Sequence, residues 1–323
     1  MKLKIIIIAI TMLALFNGVT AFAGTSDIRF TKAYGRHYVY LRDVAKYYNM
    51  QCYVWKEKTV IWNRWHRLTF YHNKKHAIFD DVKVSLMFAP FNRGIQAYVS
   101  DKDFLLMIDP ILRHYSINKH RMKVIMLDPG HGGKDIGGHG NGVKEKDFTL
   151  QIAKKLRDRL RARGYMVLMT RSYDTTLTLK QRTTLGKRLK PDIFISIHAN
   201  IAGTKSVKGI ETFCLAPVGT ASTHAGKPSF KVEPGNKFDK NNSALAYEIQ
   251  RGLLRHTRAG DRGVKHARFY VLKNASAPAI LIELGFLSNR AEARQMNTKN
   301  YQDKLVKGIE NGILRYHHKL LQR

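Results

Sequence analysis

Four short segments of the sequence carry residues that could bind a metal ion and hydrolyse a substrate. They hold His131, Glu145, His198 and Glu283, and glycines surround the first histidine. Two histidines and one carboxylate form a ligand set that leaves one position of Zn²⁺ open for water. A further glutamate could accept the proton of that water. The combination indicates a zinc-dependent hydrolase.

The positions of these residues along the chain support their convergence. His131 follows the apolar run 124–127, His198 follows the run 192–197, and Glu283 closes the run 279–282. In an open α/β sheet, ligands bind outside the carboxyl ends of the strands. Glu145 stands at the start of the first long helical pattern and can reach the same edge. We therefore expect the four side chains to meet at one edge of a sheet.

Each segment has other interpretations when it is considered alone. The glycines around His131 also fit a plain strand-to-helix turn, or a phosphate-binding loop that lacks the usual Gly-Lys-Ser/Thr ending. Glu283 is more informative because it interrupts the apolar run 280–284. A buried carboxylate needs a partner, and desolvation raises its pKa toward the range of a general base.

Residues 123–317 resemble the zinc-dependent N-acetylmuramoyl-L-alanine amidase family. The order and spacing of six motifs carry the resemblance. They are Leu-Asp-Pro-Gly-His-Gly-Gly at 127–133, Glu-Lys-Asp at 145–147, Thr-Arg at 170–171, Ser-Ile-His-Ala-Asn at 196–200, Gly-Ile-Glu-Thr-Phe at 209–213 and Ile-Glu-Leu-Gly-Phe-Leu-Ser-Asn at 282–289.

The resemblance implies a role for each residue. His131, Glu145 and His198 would bind Zn²⁺, and Glu283 would be the catalytic carboxylate. The substrate would be peptidoglycan, cleaved at the amide between N-acetylmuramic acid and L-alanine of the stem peptide.

Two further residues are candidates for binding the substrate. Arg262 lies in the segment 261–265, which resembles a family stretch near the active site, and Asn200 closes the fourth motif. Arg262 could bind a substrate carboxylate, or it could be an exposed loop charge.

From residue 123 onward, strand and helix patterns alternate. Continuous apolar runs predict buried strands, and apolar residues at helical spacing predict helices. The predicted strands are 124–127, 165–170, 192–197, 209–215, 269–272 and 279–283, and the predicted helices are 148–163, 179–189, 244–257 and 301–318. This order predicts an α/β fold with a twisted, mainly parallel sheet flanked by helices.

The segment 217–242 is rich in Gly, Pro, Ser and Lys. It predicts a loop that forms one wall of the substrate groove. It does not resemble the autoinhibitory helix of some family members.

Residues 25–119 predict a smaller α+β accessory domain, joined by the linker 115–122 to a catalytic domain at 123–323. A meander of short strands precedes a closing helix at 101–114, with Asp101 as its N-cap. The region weakly resembles the N-terminal domain of copper amine oxidases, without any catalytic motif. Its expected role is attachment to the wall or to a partner; the alternative is a packing domain that binds no ligand.

Residues 1–23 have the pattern of a secretory signal peptide: a basic start, an apolar stretch and an Ala-Phe-Ala site. A retained membrane anchor is the alternative, although the apolar run is short for a span of about 20 residues. We expect an exported protein, in the periplasm or the cell wall, and a monomer.

The net charge of +32 favours polyanionic partners. For an exported chain, an anionic wall polymer or the envelope surface fits better than nucleic acid, whose motifs are missing from the sequence. A high isoelectric point shared by the host's exported proteins would also explain the charge. The competing function is a non-catalytic wall-binding protein, but such a homologue would usually have lost a ligand or Glu283. The retained set favours an enzyme.

Overall fold

The computed structural model describes residues 28–223 and 226–322, so the predicted signal peptide lies outside the described residues. In chain order, the strands are β1 (Phe30–Ala33), β2 (Arg36–Tyr40), β3 (Gln51–Val54), β4 (Lys58–Trp62), β5 (Arg67–Tyr71), β6 (His76–Phe79), β7 (Val82–Ser85), β8 (Phe91–Arg93), β9 (Gln96–Ser100), β10 (Val124–Pro129), β11 (His139–Gly140), β12 (Val143–Lys144), β13 (Met166–Met169), β14 (Ile193–Asn200), β15 (Ile210–Leu215), β16 (Asp261–Ala267) and β17 (Ala279–Phe286).

Helices connect the strands and cover them. The α-helices are α1 (Leu41–Tyr47), α2 (Asp101–Asp103), α3 (Asp109–Leu112), α4 (Glu145–Ala162), α5 (Leu179–Leu189), α6 (Asp239–Thr257), α7 (Tyr270–Lys273), α8 (Arg290–Met296) and α9 (Lys299–Leu321). A π-helical stretch (Phe104–Ile108) joins α2 to α3, and short 3₁₀ turns occur at His114–Ser116 and Pro234–Phe238. No helix of the described ranges has the length and apolar character needed to cross a membrane.

A sheet of eleven strands organises the fold, in the order β13-β10-β14-β17-β15-β16-β7-β6-β5-β4-β3. Strands β13, β10, β14 and β17 are mutually parallel, and β15 runs antiparallel to β17 but parallel to β16. The predicted α/β fold with a mainly parallel catalytic sheet is confirmed.

The two faces of the sheet carry different layers. Helices α4, α6 and α9 cover one face, over the large core that includes Ile125, Ile195 and Ile280. Because side chains alternate along a strand, the neighbouring residues Met126, Phe194 and Leu281 point the other way, into a smaller apolar cluster with α5 and α7. The polar residues at the ends of β10, β14 and β17 share that second face.

The N-terminal strands extend the same sheet. Strand β7 pairs in parallel with β16 through Val84 and Val264, and β3 to β7 continue as an antiparallel meander. The Asp261 carboxylate accepts a hydrogen bond of 2.6 Å from the backbone N–H of Lys83 at this junction. Strands β1, β2, β9 and β8 form a separate sheet. The boundary between the accessory and catalytic domains stays a prediction, although their strands share one sheet.

Two local expectations were wrong, and one strand was not predicted. Residues 269–272 were expected as a strand, but α7 lies there, because a short apolar run does not distinguish strand from helix. The expected N-cap Asp101 is replaced by Ser100, whose side chain accepts from the N–H of Asp103. Strand β16 was not foreseen, because its sequence Asp-Arg-Gly-Val-Lys-His-Ala is mostly polar.

The two cysteines are free thiols. Cys214 lies on β15 and Cys52 on β3, with five strands between them in the sheet. Strand spacing of about 4.8 Å separates them far beyond the 7 Å limit for a disulfide.

The shared sheet predicts that the meander and the α/β region unfold together. The three tryptophans all lie in residues 55–65, so their fluorescence reports on the meander, whereas far-UV circular dichroism reports mainly on the helices beyond it. Phe70→Ala removes a fully buried ring from the meander and should lower the free energy of unfolding by about 3–5 kcal/mol. In urea titrations both signals should shift together. Thr69→Ala, on the half-exposed face of the same strand, is the control. A fluorescence transition that moves alone would show two independent units.

Candidate metal centre and active-site cleft

His131, Glu145 and His198 meet at the carboxyl edge of the sheet. One ligand atom from each lies within 4.8 Å of the others. Glu145 sits between the imidazoles: its Oε2 is 3.2 Å from Nε2 of His131, and its Oε1 is 2.9 Å from Nδ1 of His198. The backbone N–H groups of Gly138 and Ala199 also donate to this carboxylate, at 2.7 and 3.1 Å. The expected convergence of these three residues is present.

The charges at this centre favour an ionised carboxylate. Burial alone would raise the pKa of Glu145, but hydrogen bonds from His131 and His198 hold that pKa far below its usual value. Burial opposes protonation of His131, yet Glu145 and Asp135 raise its pKa. The ionised Glu145 carboxylate therefore favours a positive charge beside it, and a bound metal cation would supply that charge.

The backbone around the centre leaves no room for side chains. A Cβ atom on Gly130 would lie 2.3 Å from Cε1 of His198, and one on Gly137 would lie 2.5 Å from Cδ2 of His131. His131 itself has a left-handed φ of 57°, which is uncommon for a residue other than glycine. The glycines in the 130–138 turn thus allow both imidazoles to pack against the main chain.

Asp135 orients His131. Both of its carboxylate oxygens lie 2.9 Å from Nδ1 of His131. Such a carboxylate accepts the Nδ1 proton of a ligating histidine, which leaves Nε2 as the ring atom that can bind a metal ion. Asp135 was not predicted from the sequence; its position four residues after a candidate ligand is the signal that could have revealed it.

Asp128 lies at the end of β10, just before the turn that contains His131. It is completely buried and accepts three hydrogen bonds. The donors are the Thr170 hydroxyl at 2.6 Å, Nη1 of Arg182 at 2.7 Å and the Ser196 hydroxyl at 2.8 Å. Arg182 also donates to the carbonyls of Pro129 and His131. This network ties the loop to α5 and β14. Arg182 belongs to a helix of mostly polar residues, so its sequence pattern showed no sign of burial.

Glu283 lies on β17, directly opposite His198 on β14. It lines a cavity of about 430 Å³ that His131 and His198 also line. Its Oε2 is buried and has no hydrogen-bond partner among the described residues. Burial and the nearby charges of Glu145 and Glu211 raise the pKa of Glu283 well above its usual value, and Lys265 opposes this only in part. A carboxyl group with a raised pKa and an unpartnered Oε2 thus lines the same cavity as the two histidines.

The two candidate substrate-binding residues share one carboxylate. Nδ2 of Asn200 donates to Oε1 of Glu211 at 3.1 Å, and Nε of Arg262 donates to Oε2 at 2.8 Å. Lys265 forms a very short ion pair with the same Oε2. Glu211 on β15 stands opposite Glu283 on β17, so this cluster borders the face of the sheet that holds Glu283. Contact of Asn200 and Arg262 with substrate stays a prediction.

Residues 125–315 match the sequence model of the family described as N-acetylmuramoyl-L-alanine amidase. The chain belongs to this family. It is 34% identical over 195 residues to the N-acetylmuramoyl-L-alanine amidase LytC of Bacillus subtilis, across 60% of this chain and 36% of LytC. It is also 34% identical to the germination-specific N-acetylmuramoyl-L-alanine amidase of B. subtilis, across 60% of this chain and 79% of that protein.

A solved structure agrees with the sequence match. The crystal structure of an N-acetylmuramoyl-L-alanine amidase from Clostridium difficile 630 superposes with a TM-score of 0.52 at 33% identity, over 61% of this chain and 97% of that one. The resemblance to the amidase family is thereby confirmed. The matched region begins at residue 125, so the resemblance of residues 30–115 to copper amine oxidases stays a prediction.

The buried network predicts that Asp128→Asn destabilises the protein. The substitution leaves the Arg182 charge buried without its carboxylate, and removing one partner of a buried ion pair costs about 3–5 kcal/mol. Urea unfolding should show this loss. Asp158→Asn, which breaks an ion pair whose aspartate is 63% exposed, should change the free energy of unfolding by less than about 0.5 kcal/mol. Equal effects for both variants would contradict the role assigned to Asp128.

Proposed function

We propose that this protein is a zinc-dependent peptidoglycan hydrolase that cleaves the amide between N-acetylmuramic acid and L-alanine of the stem peptide. One observation carries the proposal. The ligand atoms of His131, Glu145 and His198 lie within 4.8 Å of one another, beside a cavity that also holds Glu283 with its unpartnered Oε2. Membership of the amidase family supports the substrate and the bond.

The residues present suit a zinc ion. Two imidazoles and one carboxylate are a common ligand set of catalytic zinc, which keeps a further position open. Asp135 supplies the outer carboxylate that such histidines usually have. Bound zinc would polarise the scissile carbonyl and lower the pKa of water at the site.

Glu283 is the proposed general base. It accepts a proton from the attacking water as the water oxygen bonds to the amide carbon. It then delivers that proton to the nitrogen of L-alanine as the carbon–nitrogen bond breaks. The raised pKa of its carboxyl group suits both steps, because a base must hold the proton until the amine leaves.

The same face of the sheet supplies binding groups for the glycan side of the substrate. Phe269 and Tyr270 line the cavity beside Glu283, as does Leu179 of α5, and all three are exposed to solvent. Aromatic faces and aliphatic groups suit the apolar faces of sugar rings. We assign the N-acetylmuramoyl unit to this part of the cleft.

The proposed substrate lies outside the cytoplasm, in agreement with the signal-peptide pattern of residues 1–23. We further propose that the net charge of +32 holds the protein on anionic wall polymers or the envelope surface. Monomeric state and lack of nucleic-acid binding remain predictions.

Digestion of intact peptidoglycan tests the reaction. Purified protein from residue 24 onward should release stem peptides with a free L-alanine amino group, identified by mass spectrometry. Release should stop on chelation and return when zinc is added, because the proposed ligands hold the ion that polarises the amide. Protein that is loaded with zinc and sediments with the wall, yet releases nothing, would instead support the wall-binding alternative.

Two variants separate metal binding from proton transfer. Glu283→Gln keeps the zinc ligands, so it should retain zinc and lose hydrolysis by about 10²-fold or more. His131→Ala removes a ligand, so it should lose both metal and activity. Zinc content by atomic emission and peptide release should be measured on the same samples. Near-normal activity in the first variant, or full zinc occupancy in the second, would refute the assigned role.

A further inference from the structure

A second cleft, of about 360 Å³, lies where the N-terminal strands join the catalytic part of the sheet. Lys75 and Lys83 contribute to it from the N-terminal meander, and Arg262 and Lys265 contribute from β16. Thr223, from the segment 217–242, lines it as well. Lys75 and Lys83 lie outside the region 125–315 that matches the amidase family, so this cleft combines two parts of the chain.

Strand register places this cleft on the catalytic face. Glu283 on β17 stands opposite Glu211 on β15, and Phe213 of β15 pairs with Lys265 of β16. Because side chains alternate along strands, Glu283, Glu211 and Lys265 point to the same side. The pairing of Val264 with Val84 puts Lys83, the residue before Val84, on that side too. One surface therefore runs from the proposed catalytic base to the N-terminal lysines.

Positive charge exceeds negative charge in the cleft. Glu211 pairs with both Arg262 and Lys265. Asp261 also lines the cleft, and its carboxylate accepts from the backbone of Lys83 and Gly263. Four cationic side chains and the Asp261 carboxylate thus line the cleft, and the Glu211 carboxylate pairs with two of those cations.

The lysines of the meander are available to a ligand. Within the described part of the chain, the ammonium groups of Lys75 and Lys83 form no hydrogen bond or ion pair. Burial lowers the pKa of Lys265 although Glu211 opposes this, and the charges of Arg262 and Lys83 lower it further. The cations repel one another, and a bound anion would relieve that repulsion.

We propose that this cleft binds a carboxylate of the stem peptide, on the leaving-amine side of the scissile bond. The inference rests on the proposed function. In that substrate the N-acetylated sugar is uncharged and the peptide carries the carboxylates. The aromatic cavity beside Glu283 suits the sugar, and the cationic cleft suits the peptide.

The distances agree with this placement of the sugar and the peptide. Strand β16 lies two strands from β17, which is about 10 Å at ordinary strand spacing. An extended dipeptide spans about 7 Å, and the long arginine and lysine side chains can cover the remainder. A carboxylate on the second residue of the stem peptide would reach the cleft while the amide stays at Glu283.

The test compares two soluble N-acetylmuramoyl-dipeptides, the free diacid and its diamide, as substrates of the full chain. Wild type should prefer the diacid. Combined Lys75→Ala and Lys83→Ala substitution should reduce that preference, measured as the ratio of kcat/KM values, on the order of tenfold. The loss should lie mainly in KM for the diacid. Lys56→Ala, an exposed lysine of the same meander, is the matched control and should retain the wild-type preference.

Lys83→Arg should also retain the preference, because it keeps the charge, and urea unfolding should show that all variants are folded. An unchanged preference in the double variant would overturn the inference.

A separate binding experiment distinguishes failure of this inference from failure of the proposed function. Calorimetric titration with the dipeptide L-alanyl-D-glutamate and with its diamide needs no hydrolysis. Selective binding of the acid that depends on Lys75 and Lys83, in a protein that cleaves nothing, would support the cleft and refute the amidase. Cleavage of the two N-acetylmuramoyl-dipeptides with equal efficiency by every variant would support the amidase and refute the cleft. If the double variant instead loses binding only to soluble poly(glycerol phosphate), the cleft holds a phosphate polymer and the inference is wrong.

Discussion

The buried ion pair between Asp128 and Arg182 is the interaction on which the candidate site depends. It joins the end of β10 to α5, and the Ser196 hydroxyl adds β14, two residues before His198. Arg182 also donates a hydrogen bond to the carbonyl oxygen of His131. The loop with its left-handed histidine could relax without these contacts, and the two imidazoles would then lose their fixed separation. A buried ion pair of this kind contributes little net stability by itself. Its role here is to fix the position of the loop that carries His131.

The sheet explains why polar groups accumulate at this edge. Glu283 and Glu211 stand opposite each other on adjacent strands, where like charges repel. Arg262 and Lys265 compensate Glu211, whereas Glu283 keeps an unpartnered oxygen. This difference leaves Glu211 with a lowered pKa and Glu283 with a raised pKa. The surroundings of the two carboxylates, and not their residue type, cause this difference in pKa.

The N-terminal strands change how the accessory region can act. A separately folded module on a linker would affect catalysis only by tethering the enzyme. Because β7 pairs with β16, the catalytic surface continues into the meander, and Lys83 stands beside the Glu211 cluster. The same pairing covers the β16 edge of the catalytic sheet, which would otherwise present unpaired backbone groups to other chains. The proposed substrate contacts and the protection of the sheet edge would therefore arise from the same strand pairing.

The sequence by itself indicated the α/β class, the family and four candidate site residues, because motifs and apolar runs that are followed by His131, His198 and Glu283 are local patterns. It also indicated Asn200 and Arg262, but not that both bind Glu211. Only the tertiary structure decided which distant side chains compensate each charge: Asp135 for His131, Arg182 for Asp128 and Lys265 for Glu211. It also decided that the N-terminal strands join the catalytic sheet. The pairing of side chains that are distant in the sequence depends on strand register and on burial in three dimensions. Local sequence patterns contain no information on either.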